Sequence, residues 1–134
     1  MKKTICNLEE LDAFAGELAK KAAANTCLLL DGDLGAGKTT LTKRILHHLG
    51  VQENVASPTF VILNQYETPQ LKINHMDAYR LDYNEDIEQF AEQFDGAFNV
   101  IEWSKNLNFA FSGFKIIKIQ IKMIDDNCRE FEVE

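Results

Sequence analysis

One stretch constrains the fold of this chain more than any other: LLLDGDLGAGKTTLTKRILHHLG, Leu28 to Gly50. Within it the pattern Gly-x-x-x-x-Gly-Lys-Thr runs from Gly32 to Thr39. An apolar run over residues 26–30 precedes the glycines and predicts a short buried strand. Helical spacing from about Lys38 to Leu49 follows them, and Gly50 is a favoured place for a helix to stop. A strand that enters a helix through a glycine loop belongs to an α/β architecture.

The remaining pattern fits that frame. Asn7 and Glu10 form a capping box, and Leu8, Leu11, Phe14, Ala15, Leu18 and Ala22 recur at helical spacing, predicting a helix over 8–24. FVILNQY and LKINHMD read as two strands joined by the turn ETPQ. Residues 85–94 predict a further helix, and FNVIEW, 98–103, a buried strand with an acid near its end. Ile117, Ile119, Ile121 and Met123 alternate with polar residues, and Asp125-Asp126-Asn127 turns the chain into CREFEVE. The 134 residues predict a single α/β domain over 1–134, a mixed and mainly parallel sheet flanked by helices and closed by a C-terminal hairpin.

Composition narrows the function. The apolar runs are far shorter than the ~20 residues a membrane span needs. MKKTICNLEELDAF lacks the apolar core of a signal peptide, so Cys6 is not expected to carry a lipid and a cytoplasmic protein is expected. Three cysteines without a CxxC pair argue against a disulfide framework or a zinc site. Cys27 reads as a small buried hydrophobe. Adjacent His47 and His48 point in different directions on a helix, which is poor metal-ligand spacing. A net charge of -7 with scattered basic pairs does not suit unaided binding of RNA or DNA.

The glycine loop is a phosphate cradle by its chemistry. Small residues let consecutive backbone N–H groups turn inward, and the following helix presents its positive end to the same point. The nucleotide-binding residues are Gly32, Asp33, Leu34, Gly35, Ala36, Gly37, Lys38, Thr39 and Thr40. Lys38 is placed to neutralise outer phosphates and Thr39 to ligate Mg²⁺, with the Asp33 carboxylate facing away. No Asn-Lys-x-Asp element reads guanine, and three arginines, Arg44, Arg80 and Arg129, are few for the lid of a small-molecule kinase. An ATPase that directs water at the nucleotide fits better. Asp77 and Glu102 stand near strand ends, where ligands gather in such sheets. Glu102 is a candidate for holding Mg²⁺, and Ser57-Pro58-Thr59-Phe60 is a candidate switch-like loop.

The motifs GDLGAGKTT, SPTF, HxDxYRL and IEW, in this order and spacing, resemble the TsaE family, bacterial P-loop ATPases of tRNA threonylcarbamoyladenosine biosynthesis. The resemblance covers about residues 7 to 105. It implies ATP and Mg²⁺ as cofactors and catalytic roles for Lys38, Asp77 and Glu102, with Thr39 and Glu102 on the metal and Asp77 orienting or deprotonating the attacking water. It also implies that Ser57, Pro58, Thr59, Phe60, Tyr79, Arg80 and Trp103 are switch-like or partner-facing. The implied partners are TsaB and TsaD, which modify adenosine 37 of tRNAs that decode ANN codons, so that tRNA is met through the complex. The chain departs from the family pattern at Ser104 and Lys105, where Pro and Glu are common, and at Ala78, where Leu is common. The residues themselves leave two other readings open, a small-molecule kinase and a nucleotide-sensing module that scarcely hydrolyses.

Overall fold

The structure, a computed structural model, describes residues 1–33, 37–52, 63–82 and 87–134. In chain order its elements are β1 (Lys2–Ile5), α1 (Leu8–Ala19), β2 (Thr26–Gly32), α2 (Lys38–His48), β3 (Leu63–Glu67), β4 (Lys72–Asp77), α3 (Glu88–Phe94), β5 (Phe98–Glu102), a 3₁₀ turn (Ser104–Asn106), β6 (Lys115–Met123) and β7 (Arg129–Val133). Among the described residues, seven strands form one sheet in the order β1-β7-β6-β2-β5-β4-β3. Its centre, β6, β2, β5 and β4, is parallel, while β3, β7 and β1 add antiparallel edges. The expected mixed sheet and C-terminal hairpin are both present.

Strand alternation divides the central sheet into two apolar faces. Leu28, Leu30, Val100 and Ile119 pack with Phe14 and Leu18 of α1 and Leu41 and Ile45 of α2. Cys27, Leu29, Met76 and Ile101 pack on the opposite side with Phe94 of α3 and Leu107. All five residues of β5 are buried, as befits a strand covered on both faces. The same alternation puts Asp77, His75 and Glu102 on the face that carries α2. The β4–β5 register sets Asp77 opposite Glu102.

α1 begins as its capping box implies, with the Asn7 side chain accepting from Glu10 N–H at 2.8 Å. It ends at Ala19, short of the expected 24, because Lys21 and Ala22 turn back onto Leu18 and Ala19 carbonyls in a tighter turn. The expected helix over 85–94 is present as Glu88–Phe94; residues 85 and 86 lie outside the described set.

Two further features depart from expectation. β1 has no legible strand pattern, since only Ile5 of its four residues is buried; it forms by pairing with β7. That pairing sets Ile5 opposite Arg129, which brings the next residues outward, Cys6 and Cys128, face to face, and they form a disulfide. Cysteine counting argues against this bond because it tests for frameworks. It has no access to a single pair created by strand pairing 122 residues apart. Cys27 is the expected buried free thiol, and burial pushes its pKa up to about 11.

Candidate active site

β2 ends at Gly32, which lies so close to β6 that a Cβ there would stand 2.5 Å from the Ile121 carbonyl oxygen. Glycine is therefore required at this position by contact with a neighbouring strand. The chain enters α2 through Gly37, whose φ of 106° is left-handed and suits only glycine without strain. Leu34, Gly35 and Ala36, the middle of the expected cradle, lie outside the described residues.

Lys38, the first residue of α2, is buried. Its ammonium donates to the carbonyls of Gly32 at 2.7 Å and Asp33 at 2.9 Å. It also lies 4.4 Å from the centre of the Trp103 ring, within cation–π range. Burial holds its pKa below the ordinary lysine value, against the opposing pull of Glu102, Asp77, Asp31 and Asp33. Asp33 itself is exposed and enters the site through its backbone.

At the next position, still in the first turn of the helix, Thr39 Oγ1 donates to the Glu102 carboxylate at 3.1 and 3.2 Å. Glu102 is 2% exposed at the end of β5, and its other contact is His75 Nε2 from β4. An ionisable side chain sealed in this way needs partners, and Glu102 has a hydroxyl and an imidazole. His75 is fully buried, and its Nδ1 has no hydrogen-bond partner among the described residues.

Beyond β4 and β5 the chain turns sharply. Asp77 Oδ1 accepts the N–H of Tyr79 at 3.0 Å, an Asx turn that orients the carboxylate and the tyrosine together. Trp103 takes a left-handed φ of 60°, uncommon for a bulky residue. Its N–H still bonds the Leu30 carbonyl at 3.1 Å, so the backbone stays on the sheet as the chain leaves β5. The indole packs against Tyr79 with ring centres 5.0 Å apart. Tyr79 is 48% exposed, and Arg80 is exposed beside it.

Of the residues singled out from sequence, Gly37, Lys38, Thr39, Asp77, Glu102, Trp103 and Tyr79 are brought to one end of the sheet. Ser57, Pro58, Thr59 and Phe60 lie outside the described residues. Thr40 lies one position further, exposed, beside a groove of ≈ 280 Å³ between α1 and the β6–β7 turn. Two features of the site carry no sequence signal. The contact of His75 with Glu102 depends on strand register, and the Ser104 hydroxyl donates to Asp31 Oδ2 at 2.6 Å. That bond gives Ser104, a departure from the family pattern, a local role: it ties the turn after Trp103 to the end of β2.

Among the described residues no group of three His, Cys, Asp or Glu side chains gathers to form a metal cage. Mg²⁺ asks for less, since one or two protein oxygens suffice when phosphates and water complete its shell. The hard oxygens of Thr39 and Glu102 fit that requirement.

Comparison with known proteins identifies the family and the fold. The family model described as threonylcarbamoyl adenosine biosynthesis protein TsaE matches residues 5–131. The tRNA threonylcarbamoyladenosine biosynthesis protein TsaE of Rickettsia prowazekii (strain Madrid E) is 36% identical over 129 residues, 94% of this chain and 89% of the relative. The protein of the same description from Bacillus subtilis (strain 168) is 37% identical over 125 residues, 92% of this chain and 78% of the relative. The crystal structure of Bacillus subtilis YdiB superposes with a TM-score of 0.75 at 30% identity, covering 98% of this chain and 82% of that one. The chain therefore belongs to the TsaE family of tRNA threonylcarbamoyladenosine biosynthesis.

Proposed function

We propose that this protein is a cytoplasmic Mg²⁺-dependent ATPase whose hydrolysis supports a TsaB–TsaD pair in the threonylcarbamoylation of adenosine 37 of tRNAs that read ANN codons. The convergence of Lys38, Thr39 and Glu102 at the head of α2 carries this reading. Lys38 uses two of its three N–H donors on carbonyls, which leaves the third for a phosphate oxygen. Backbone N–H groups at the head of α2, from Gly37 to Thr40, donate to the remaining phosphate oxygens, aided by the positive end of the helix.

Thr39 and Glu102 would hold the metal, which would supply positive charge against the phosphate charge as it develops. Asp77, beside Glu102 in the register, orients the attacking water. The groove beyond Gly37 and Thr40 receives the nucleoside. Its floor is apolar, with Ile5, Leu11 and Phe131, and Asn7, Asp126 and Asn127 offer polar groups at its walls. A net charge of -7 leaves the grip on tRNA to the partners.

The test is release of inorganic phosphate from ATP with and without the TsaB–TsaD pair. Release that stops in Lys38→Ala and in Glu102→Ala supports the reading, and an unchanged rate in either removes the mechanism. Phosphate carried onto a metabolite would identify a kinase, and tight binding without release would identify a nucleotide sensor.

A further inference from the structure

The disulfide takes no part in that chemistry, yet Cys6 lines the same groove as Gly37 and Thr40. Cys6 joins β1 to the cap of α1, and Cys128 joins the β6–β7 turn to β7. The bond therefore links the two walls of the groove.

Each wall is braced within itself. On one side the Glu10 carboxylate accepts from Cys6 N–H at 3.3 Å and from the Asn7 amide at 3.0 Å. On the other, Asp125 Oδ1 accepts from the N–H groups of Asn127 and Cys128, each at 2.8 Å. Between the walls, the β1–β7 ladder is four pairs long and lies at the sheet edge. Cleaving the disulfide thus frees one wall to shift against the other without dismantling either.

We propose that the Cys6–Cys128 disulfide is a redox clasp on the nucleotide groove: oxidised, it holds the walls at the receptive spacing, and reduction loosens them and weakens nucleotide binding. The proposal rests on the nucleotide-binding reading above. The oxidised groove is open, at ≈ 280 Å³, so the closed clasp is the prepared state. Reduction adds an ordering cost to binding. Cys6 is exposed and open to attack by a dithiol. The Sγ–Sγ bond takes two electrons and two protons and becomes two thiols, while the dithiol becomes a disulfide; a protein or small-molecule disulfide reverses the exchange. Cys27, buried with a raised pKa, stays out of it. In a reducing compartment a disulfide of this kind acts as a sensor more than as a permanent staple.

The test is calorimetric binding of ADP and of inorganic pyrophosphate to the whole chain, oxidised and after dithiothreitol. Pyrophosphate engages the glycine loop without the groove. Reduction is expected to weaken ADP binding by about fivefold and to leave pyrophosphate binding unchanged. The double variant Cys6→Val, Cys128→Val keeps an apolar cross-strand pair without the covalent tie. It is expected to bind ADP as the reduced protein does, with or without dithiothreitol, and it serves as the reduced form if dithiothreitol unfolds the chain. Equal ADP affinity in both redox states overturns the clasp. Equal weakening of ADP and pyrophosphate also overturns it, since the disulfide would then support the fold generally. Binding of neither ligand in either state overturns the nucleotide reading, and the clasp with it.

Discussion

His75 Nε2 rests on Glu102 Oε2 at the buried end of two adjacent strands, while Thr39 Oγ1 approaches the same carboxylate from the helix. The three groups come from β4, β5 and α2, so His75 ties the proposed metal-binding acid to the sheet while Thr39, which would share the metal, approaches it from the helix. A ligand held by such an outer partner keeps its orientation, and loss of the partner typically weakens metal binding by about 10- to 100-fold.

His75→Ala is expected to raise the Mg²⁺ concentration that half-saturates hydrolysis by about tenfold. Folding stability is expected to fall by about 2–4 kcal/mol, from a lost buried hydrogen bond and the cavity left behind. His75→Gln, which can still donate to the carboxylate, is expected to recover much of the Mg²⁺ response. Magnesium titration of hydrolysis together with urea unfolding checks both. An unaltered Mg²⁺ response in the alanine variant would reduce His75 to a packing residue.

Asp77 occupies a different position in the same cluster. Its Oδ1 accepts from Tyr79 N–H, and asparagine preserves that acceptor while removing the charge. Asp77→Asn is therefore expected to keep the fold and to bind ATP within about twofold of the parent. Turnover is expected to fall by about 10²–10⁴, the range for loss of a positioned base. Comparing equilibrium ATP binding with phosphate release separates the two effects. Loss of ATP affinity would count against a role in placing water.

Lys38 pits stability against binding. Its pKa is lowered by burial, so the folded state disfavours its charged form. For a base shifted down on folding, the penalty is present below the folded-state pKa and disappears as pH rises from there to the unfolded value near 10.5. Lys38→Met removes the buried charge and keeps the stem. The ligand-free variant is expected to melt about 1–4 °C higher at neutral pH, whereas ADP should no longer raise its Tm. Thermal melts with and without ADP provide the measurement. A lower Tm in the ligand-free variant would mean that the two carbonyl bonds and the indole outweigh the burial of the charge.

The main elements were legible because their signals are local. The glycine loop between strand and helix, the Asn7 cap and the alternation of Ile117, Ile119 and Ile121 each act within a few residues. The acids Asp77 and Glu102 were legible as strand-end carboxylates, but their adjacency was not, because it arises from β4–β5 register. β1 was missed for a related reason. Lys2, Lys3 and Thr4 carry no buried-face pattern, and the strand exists because β7 offers it an edge. The disulfide depends on that pairing, so a reading that lacks the strand lacks the bond as well.

Between the two helices, Arg44 donates to Asp12 Oδ1 from Nε at 2.8 Å and from Nη2 at 2.5 Å, and His48 Nε2 lies 3.1 Å from the same oxygen. Arg44 hydrogen bonding is the largest influence on Asp12; burial opposes it, His48 adds to it, and the carboxyl is held below its ordinary value of 3.8. An acid shifted down on folding contributes stability that is fully present above its unfolded pKa and is lost as pH falls through its folded one. Asp12→Asn keeps the shape and an acceptor oxygen but abolishes the charge. Its urea midpoint is expected to lie below that of the parent at about pH 5 and above, with the gap closing as pH drops below 3.8. Added salt should narrow the gap at the higher pH, since the pair is partly exposed. A gap that persists unchanged from neutral pH to below the folded-state pKa would show that Asp12 joins α1 to α2 through shape and neutral hydrogen bonds, with its charge contributing nothing.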